Sequence, residues 1–457
     1  MDKNRRRFIK RSMLGAAGIF ATSMLDTTRI WGQISSDSKL PAILGGPKAH
    51  IDMWPAWPVW ESSRNERLLR VLESGVWSRE KVTAEFEKKW AEMIGTKRCL
   101  AVVNGTNALI TAISQFDIGP GDEVIVPPYT FVATVQAVLM NGALPVFADI
   151  DPETFQIDPV QIEKKITPRT KAIIPVHILG IPADMVTIKE IARKHRLMII
   201  EDACQAHLAE VNHKRVGSIG NAGCFSFQTS KNIPIGEGGA VVSDDEEFMD
   251  RCFSYHNLGF PYGTQTASVG AGSIRIGTKV RFTEYQAAIG LMQMINSEAT
   301  TEQRWENGRY LWQKVKDIPG IMPLRLYPAT TKAVFHLLPL RYDQRKFKNM
   351  PRALFLEALR AEGVPCSSGY VPLHTQPFIK AAFESKLYRK AYAPNEIDYA
   401  AFIGNNQCPA NDRICNEAVW MTQNLLLAGR SAMDDIANAI EKIYENATLI
   451  MQKKGRR

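Results

Sequence analysis

Between residues 99 and 243 the chain repeats one pattern: a short apolar run, a turn, then a stretch whose apolar positions recur every three or four residues. The runs Cys99–Asn104, Glu123–Val126, Leu144–Ile150, Lys171–Val176, Leu197–Asp202, Cys224–Phe227 and Ala240–Ser243 predict strands, and Thr106–Phe116, Thr130–Asn141 and Met185–His195 predict helices. Strands apolar on both faces and separated by amphipathic helices make a mostly parallel sheet covered by helices. From Thr283 the pattern lengthens into helices Glu284–Asn296 and Thr301–Val315. A second unit follows, with strand Val334–Leu340, helix Arg352–Glu362 and closing helix Met433–Asn446. The fold class is α/β, with a large domain and N-terminal arm over residues 34–314 and a smaller C-terminal α+β domain over 315–457.

Ligands of such sheets gather beyond the carboxyl ends of the strands, and the candidate residues fall there. Lys231 follows Cys224–Phe227 and leads into the turn Gly236-Glu237-Gly238-Gly239, while Asp202 ends the run Leu197–Asp202. A lysine amine and a strand-end aspartate are what pyridoxal phosphate requires: an imine to its aldehyde carbon and an anion that keeps its ring nitrogen protonated. Asn104-Gly105-Thr106 joins a strand to a helix, so backbone amides and the Thr106 hydroxyl meet at a helix N-terminus, a ready anion site. Gly-Thr before a helix is also an ordinary cap; Ser226, from another strand end, adds the second hydroxyl that favours phosphate. Phe131 offers a flat ring one face, and Gln205 its other face or its hydroxyl, where the plain alternatives are core packing and a surface amide. His177, after an apolar run, reads as structural.

With 457 residues, 45% of them hydrophobic, the chain can bury a full core. Its net charge of +9 is carried by the two ends, by Lys3, Arg5, Arg6, Arg7, Lys10 and Arg11 against Asp2, and by Lys453, Lys454, Arg456 and Arg457. No basic face for nucleic acid is implied. The 7 cysteines are scattered without a C-x-x-C pair, so neither a zinc site nor a disulfide framework is indicated, and no metal is expected. Arg5-Arg6-Arg7-Phe8-Ile9-Lys10 precedes the uncharged stretch Met13–Leu25, too short for an ordinary membrane span. Residues 1–33 thus resemble a twin-arginine signal, which predicts a folded, exported protein handled by the twin-arginine translocation machinery. A cytoplasmic enzyme that keeps a basic leader is the alternative.

Gly105-Thr106-Asn107-Ala108-Leu109, Pro128-Tyr129-Thr130-Phe131-Val132-Ala133-Thr134, Glu201-Asp202-Ala203-Cys204-Gln205-Ala206-His207, Ser226 to Lys231 and Gly236-Glu237-Gly238-Gly239 occur in one order. Together they resemble the DegT/DnrJ/EryC1/StrS family of sugar aminotransferases over about residues 40–450. The resemblance implies a fold-type I, pyridoxal-phosphate-dependent homodimer with active sites at the subunit interface. It implies that Lys231 forms the imine, Asp202 pairs with the ring nitrogen, Gly105, Thr106 and Ser226 hold the phosphate, Phe131 stacks on the ring and Gln205 lies beside it. The family commonly shows an asparagine that reaches the partner's phosphate; here Lys279, in Gly277-Thr278-Lys279-Val280-Arg281-Phe282-Thr283, takes that place as a charge.

The segments Glu362–His374, Cys408-Pro409 and Glu417–Trp420 resemble the branch that includes glutamine:scyllo-inosose aminotransferases and 3-amino-5-hydroxybenzoate synthases. That implies glutamine or glutamate as amino donor, a keto-sugar or keto-cyclitol as acceptor, and Tyr370 and His374 as candidates for the acceptor pocket, against packing of the small domain. Related sugar 3-dehydratases carry histidine where this chain has Lys231. A non-enzymatic binding protein on the same scaffold is expected to lose the lysine or the aspartate.

Overall fold

Seven strands form the sheet that the apolar runs predict. In chain order these are β1 (Arg98–Val102), β2 (Glu123–Val126), β3 (Leu144–Phe147), β4 (Thr170–Ile173) and β5 (Met198–Asp202), then, after the short pair β6 (Glu210–Val211) and β7 (Lys214–Arg215), β8 (Ala222–Ser226) and β9 (Gly239–Ser243). The computed structural model describes residues 39–264 and 272–454, so the signal-like residues 1–33 lie outside the described residues. Strand order is β1-β9-β8-β5-β4-β2-β3. Pairs from β8 across to β3 are parallel, whereas β9 runs antiparallel to both β8 and β1. The reversal has a simple cause: no helix separates β8 from β9, and without a crossover the chain can only turn back.

Helix Gly105–Gln115 packs its Ala108, Leu109, Ala112 and Ile113 on one face of this sheet. Helix Lys81–Ile94 covers the other face with Phe86, Trp90 and Ile94. With both faces covered, the strands are buried along almost their whole length, as a parallel sheet requires.

A second, antiparallel sheet joins β10 (Ile321–Met322), β12 (Leu337–Tyr342) and β13 (Ala418–Thr422) in the order β10-β12-β13. Helices Arg352–Ala361 and Arg430–Glu445 close over it through Leu356, Leu359, Ile436 and Ile440. The same core holds Trp305, Leu311, Trp312 and Val315 of helix Ser297–Val315, and Leu44 from the start of the described chain. That N-terminal segment is pinned by Glu362, which is fully buried and accepts the amides of Ala42 (2.7 Å) and Ala49 (2.9 Å) and the amine of Lys442 (2.6 Å). Residues 377–405 pack back on the large sheet's core, where the Tyr388 hydroxyl donates to the carbonyl of Ala143 (2.8 Å) and the Tyr392 hydroxyl to that of Gly142 (2.7 Å). The strand β11 (Thr330–Lys332) pairs with β6, so the chain entering the C-terminal unit is stitched to the large domain.

Candidate functional site

Adjacent acids at the end of β5 point to opposite sides, as strand geometry dictates. Asp202 is buried, and its Oδ2 accepts the Thr134 hydroxyl (2.8 Å), which is itself linked to Thr130 (2.9 Å). Its Oδ1 accepts the Cys204 amide (3.2 Å). Glu201 faces the other way, fully buried, and accepts the amides of Gly217 (2.7 Å), Ile219 (2.7 Å) and Gly220 (2.6 Å). His177 completes that set: its Nδ1 accepts the Ala183 amide (3.1 Å), which leaves Nε2 to donate to Glu201 (2.9 Å). Glu201 and His177 are structural.

Lys231 stands in the turn that reverses the chain between β8 and β9. Its amide donates to the Gln228 carbonyl (2.8 Å), and its own carbonyl accepts the indole N–H of Trp57 (3.0 Å). The side chain is half-buried. Burial lowers its amine below the usual lysine range, against the opposing pull of Cys204 and Asp202 beside it. Lys231 and Asp202 therefore share one mouth.

The helix starting at Gly105 is capped by Asn104, whose side chain accepts the Asn107 amide (2.9 Å). The cap is thus supplied from the preceding residue. The amides of Gly105 and Thr106, which the helix cannot satisfy, remain with the Thr106 hydroxyl at its positive end. Gly105 has to be glycine here: a Cβ would lie 2.7 Å from Ser226 Cβ and 2.9 Å from Cys204 Sγ. A Cβ on Gly239 would likewise meet the backbone of Asn104 at 2.3 Å. These two close approaches set the helix start that carries Thr106 directly against the end of β8 at Ser226.

Phe131 is 56% exposed at the start of helix Val132–Met140, the helix whose Thr134 holds Asp202. Gln205 is not a surface amide. It is buried, its Oε1 accepts the Leu179 amide (2.9 Å) and its Nε2 donates to the Tyr370 hydroxyl (3.0 Å). Tyr370 sits edge-on to Tyr129 (5.4 Å) and Trp420 (4.6 Å), so this C-terminal segment reaches the site through Gln205. His374 is not brought to Lys231: it is buried against Phe147 (6.0 Å) at the end of β3, 3.8 Å from Asp412 and at the far edge of the sheet. Lys279 is exposed along the outer edge of β1, where the Val103 amide donates to the Val280 carbonyl (3.1 Å), and it too stands apart from Lys231.

Four residues of this mouth escape a reading of the sequence. Thr134 carries a usable signal, since it lies four residues after Thr130 and so on the same helix face. Cys204 reads as core but is half-buried beside Lys231, where burial pushes its thiol well above the usual range. Trp57 and Arg304 come from distant parts of the chain and carry no local signal.

An amine of lowered pKa, a strand-end carboxylate held by two donors, and a helix start whose glycine leaves no room for a side chain follow the carboxyl ends of β8, β5 and β1. Their chemistry fits pyridoxal phosphate. Residues 59–396 match the DegT/DnrJ/EryC1/StrS aminotransferase family. The L-glutamine:2-deoxy-scyllo-inosose aminotransferase of Streptomyces kanamyceticus is 32% identical over 423 residues, covering 90% of this chain and 98% of that protein. The spore coat polysaccharide biosynthesis protein SpsC of Bacillus subtilis (strain 168) is 36% identical over 341 residues, 73% of this chain and 86% of that one. Among solved structures, 3-amino-5-hydroxybenzoic acid synthase superposes with a TM-score of 0.76 at 30% identity, covering 86% of this chain and 99% of its own. The chain therefore belongs to the DegT/DnrJ/EryC1/StrS aminotransferase family and is a pyridoxal-phosphate-dependent aminotransferase.

Proposed function

We propose that this aminotransferase moves the amino group of an amino acid, glutamine or glutamate, onto a keto-cyclitol or keto-sugar. The observation that carries the reading is the meeting of Lys231 and Asp202 in one mouth beside the Gly105–Thr106–Ser226 cradle. The curated relatives named for L-glutamine donors and inosose acceptors support the substrate classes. Pyridoxal phosphate, when bound, supplies an electron sink for a carbanion at the donor's Cα. Lys231 would be the residue to take and return the donor's Cα proton, a base role suited by its lowered pKa. Asp202 keeps the proton on the ring nitrogen, and Thr134 and the Cys204 amide keep Asp202 in place. Gly105, Thr106 and Ser226 would hold the phosphate, Phe131 would cover one ring face, and Gln205, held by Leu179 and Tyr370, would lie beside the ring. Lys231 then works in the opposite sense when the ketone acceptor takes the amine.

The reading includes a homodimer in which Lys279 reaches the partner's phosphate. In support, Trp77 and Tyr262 are 52% and 56% exposed on a groove of about 1180 Å³ that Arg281, two residues from Lys279, also lines. It also includes export in the folded state, for which Arg5-Arg6-Arg7-Phe8-Ile9-Lys10 and the uncharged Met13–Leu25 speak. Incubating purified holoenzyme with L-glutamine and a panel of keto-cyclitols and keto-sugars tests the function. Donor turnover without amination of any ketone in the panel overturns the acceptor class.

A further inference from the structure

Arg304, on helix Ser297–Val315, is fully buried. Its Nε donates to Gln423 Oε1 (2.7 Å), and its guanidinium lies 4.8 Å from the centroid of the Trp57 ring. Both terminal nitrogens, Nη1 and Nη2, are buried without a hydrogen-bond partner among the described residues. Burial pulls this guanidinium down to about 9, and among the described residues no carboxylate opposes the shift. Half-buried arginines elsewhere put their guanidinium nitrogens on partners, Arg341 reaching Glu417 and Arg352 the carbonyls of Ser368, Cys415 and Ala418. A buried cation with two free donors and no counter-charge is costly, and proteins keep one where an anion is to be bound.

The surroundings point the same way. His207 and His336, the latter with Nδ1 unpartnered among the described residues, are buried beside it. Burial first, and then the positive charges of Lys231 and Arg304, keep both imidazoles neutral. The buried surroundings of Arg304 on this side of Lys231 thus carry positive charge with neutral imidazoles. Trp57 links the two residues: its ring covers the Arg304 guanidinium while its indole N–H donates to the backbone carbonyl of Lys231. The strap that carries Trp57 lies on the surface, with Met53 96% exposed, and Asn424 fastens it by a hydrogen bond to the Pro55 carbonyl (2.7 Å).

We propose that Arg304 seats the amino donor's carboxylate on Nη1 and Nη2, with the Trp57 strap as the cover that lifts to admit it. This assignment rests on the reading of the chain as an amino-acid-dependent aminotransferase. A guanidinium fork matches a carboxylate in two parallel hydrogen bonds, and a single negative charge balances the single unpaired cation. The phosphate has its own cradle at Gly105, Thr106 and Ser226, so the two anions do not compete. A carboxylate on Arg304 would also stand on the side of Lys231, since His207 and His336 each lie within reach of both charges.

Two measurements test it. Glutarate, an unreactive dicarboxylate, is expected to raise the thermal midpoint of the wild-type holoenzyme above that in sodium chloride of equal ionic strength, and to have no such effect on Arg304→Met. Equal shifts with chloride identify an adventitious inorganic anion and overturn the donor assignment, as does a glutarate shift that survives in Arg304→Met. In single-turnover reactions the wild type is expected to prefer L-glutamine over L-glutaminol, which lacks the carboxylate, by on the order of a hundredfold. Arg304→Lys, which keeps charge and fold but loses the fork, should cut that preference to below about tenfold; an undiminished preference overturns the proposal. If the wild type reacts with no amino acid, the functional reading fails, while the glutarate shift still reports on Arg304 by itself.

Discussion

Gly105→Ala probes the cradle at its tightest point. The new Cβ would stand 2.7 Å from Ser226 Cβ, 2.9 Å from Cys204 Sγ and 3.3 Å from the Phe225 carbonyl oxygen. Carbon atoms prefer about 3.5–4.0 Å, so roughly 1 Å of separation must be found between the helix start and β8. β8 cannot yield easily, because it is paired on both sides, to β5 and β9. Overpacking of this kind costs about 1–3 kcal/mol, roughly a 5- to 150-fold change in an equilibrium constant. If the helix start retreats, the Thr106 amide and hydroxyl move away from Ser226 and the cost appears as weaker cofactor binding. If nothing retreats, it appears as a lower stability of the apoenzyme. Titrating apoenzyme with pyridoxal phosphate by absorbance, beside denaturant unfolding of the apo form, measures both. Gly404→Ala is the control, since a Cβ there meets nothing within 4 Å. Wild-type values for Gly105→Ala in both assays would refute the cradle.

Asp202→Asn is expected to fold and take up cofactor while the donor half-reaction slows by orders of magnitude; near-wild-type rates would remove Asp202 from the chemistry. Lys231→Ala and Lys279→Ala subunits, each inactive alone, should regain activity when mixed, and mixed dimers without recovery would exclude Lys279 from acting across the interface. Burial holds His207 and His256 each down to about 3, against 6.5 when exposed. The unfolded chain therefore takes protons that the native one refuses, and stability falls as pH drops from about 6.5 toward 3, by up to ~1.4 kcal/mol per pH unit for each. His207→Phe should shed one such contribution in denaturant unfolding at pH 7, 6 and 5, and an unchanged slope counts against the burial argument. Changing Arg5, Arg6 and Arg7 to Lys should leave the protein in the cytoplasmic fraction while the intact chain is exported; equal retention of both would sink the export reading.

Much of the large sheet was legible because its strands are buried on both faces and separated by helices of clear period. Glu123–Val126 and helix Met185–His195 have the predicted bounds. The direction of β9 was not read, since an apolar run such as Ala240–Ser243 looks the same in either direction and only the missing crossover helix betrays it. Predicted strands overran at their carboxyl ends, β3 stopping at Phe147 and β4 at Ile173. There the chain leaves the ladder although apolar residues such as Ile150, Ile174 and Val176 continue beyond it. Lys231, Asp202, Thr106 and Ser226 were legible because each sits at a strand or helix end. Trp57 and Arg304 were not: an arginine in a long helix reads as a solvated residue, and only the packing of that helix under the Trp57 strap buries it.

Glu201 and Asp202 show how the fold divides two identical charges between structure and chemistry. Side chains alternate along β5, so Ile199 and Glu201 face the core that includes Phe225 and Val216, while Ile200 and Asp202 face helix Gly105–Gln115. On its side Glu201 meets three backbone amides from the loop before β8 and one imidazole N–H, which saturate the carboxylate and fix that loop. A carboxylate with every lone pair engaged has nothing left to offer a ligand. Asp202 holds one hydroxyl and one amide, at 2.8 and 3.2 Å, which orient it while leaving acceptor capacity directed into the mouth. Exchanging the two residues would keep the composition and charge of the strand. It would also put the longer acid in the mouth and a side chain too short for the Gly217–Gly220 amides on the other face, so both the loop and the site would fail together.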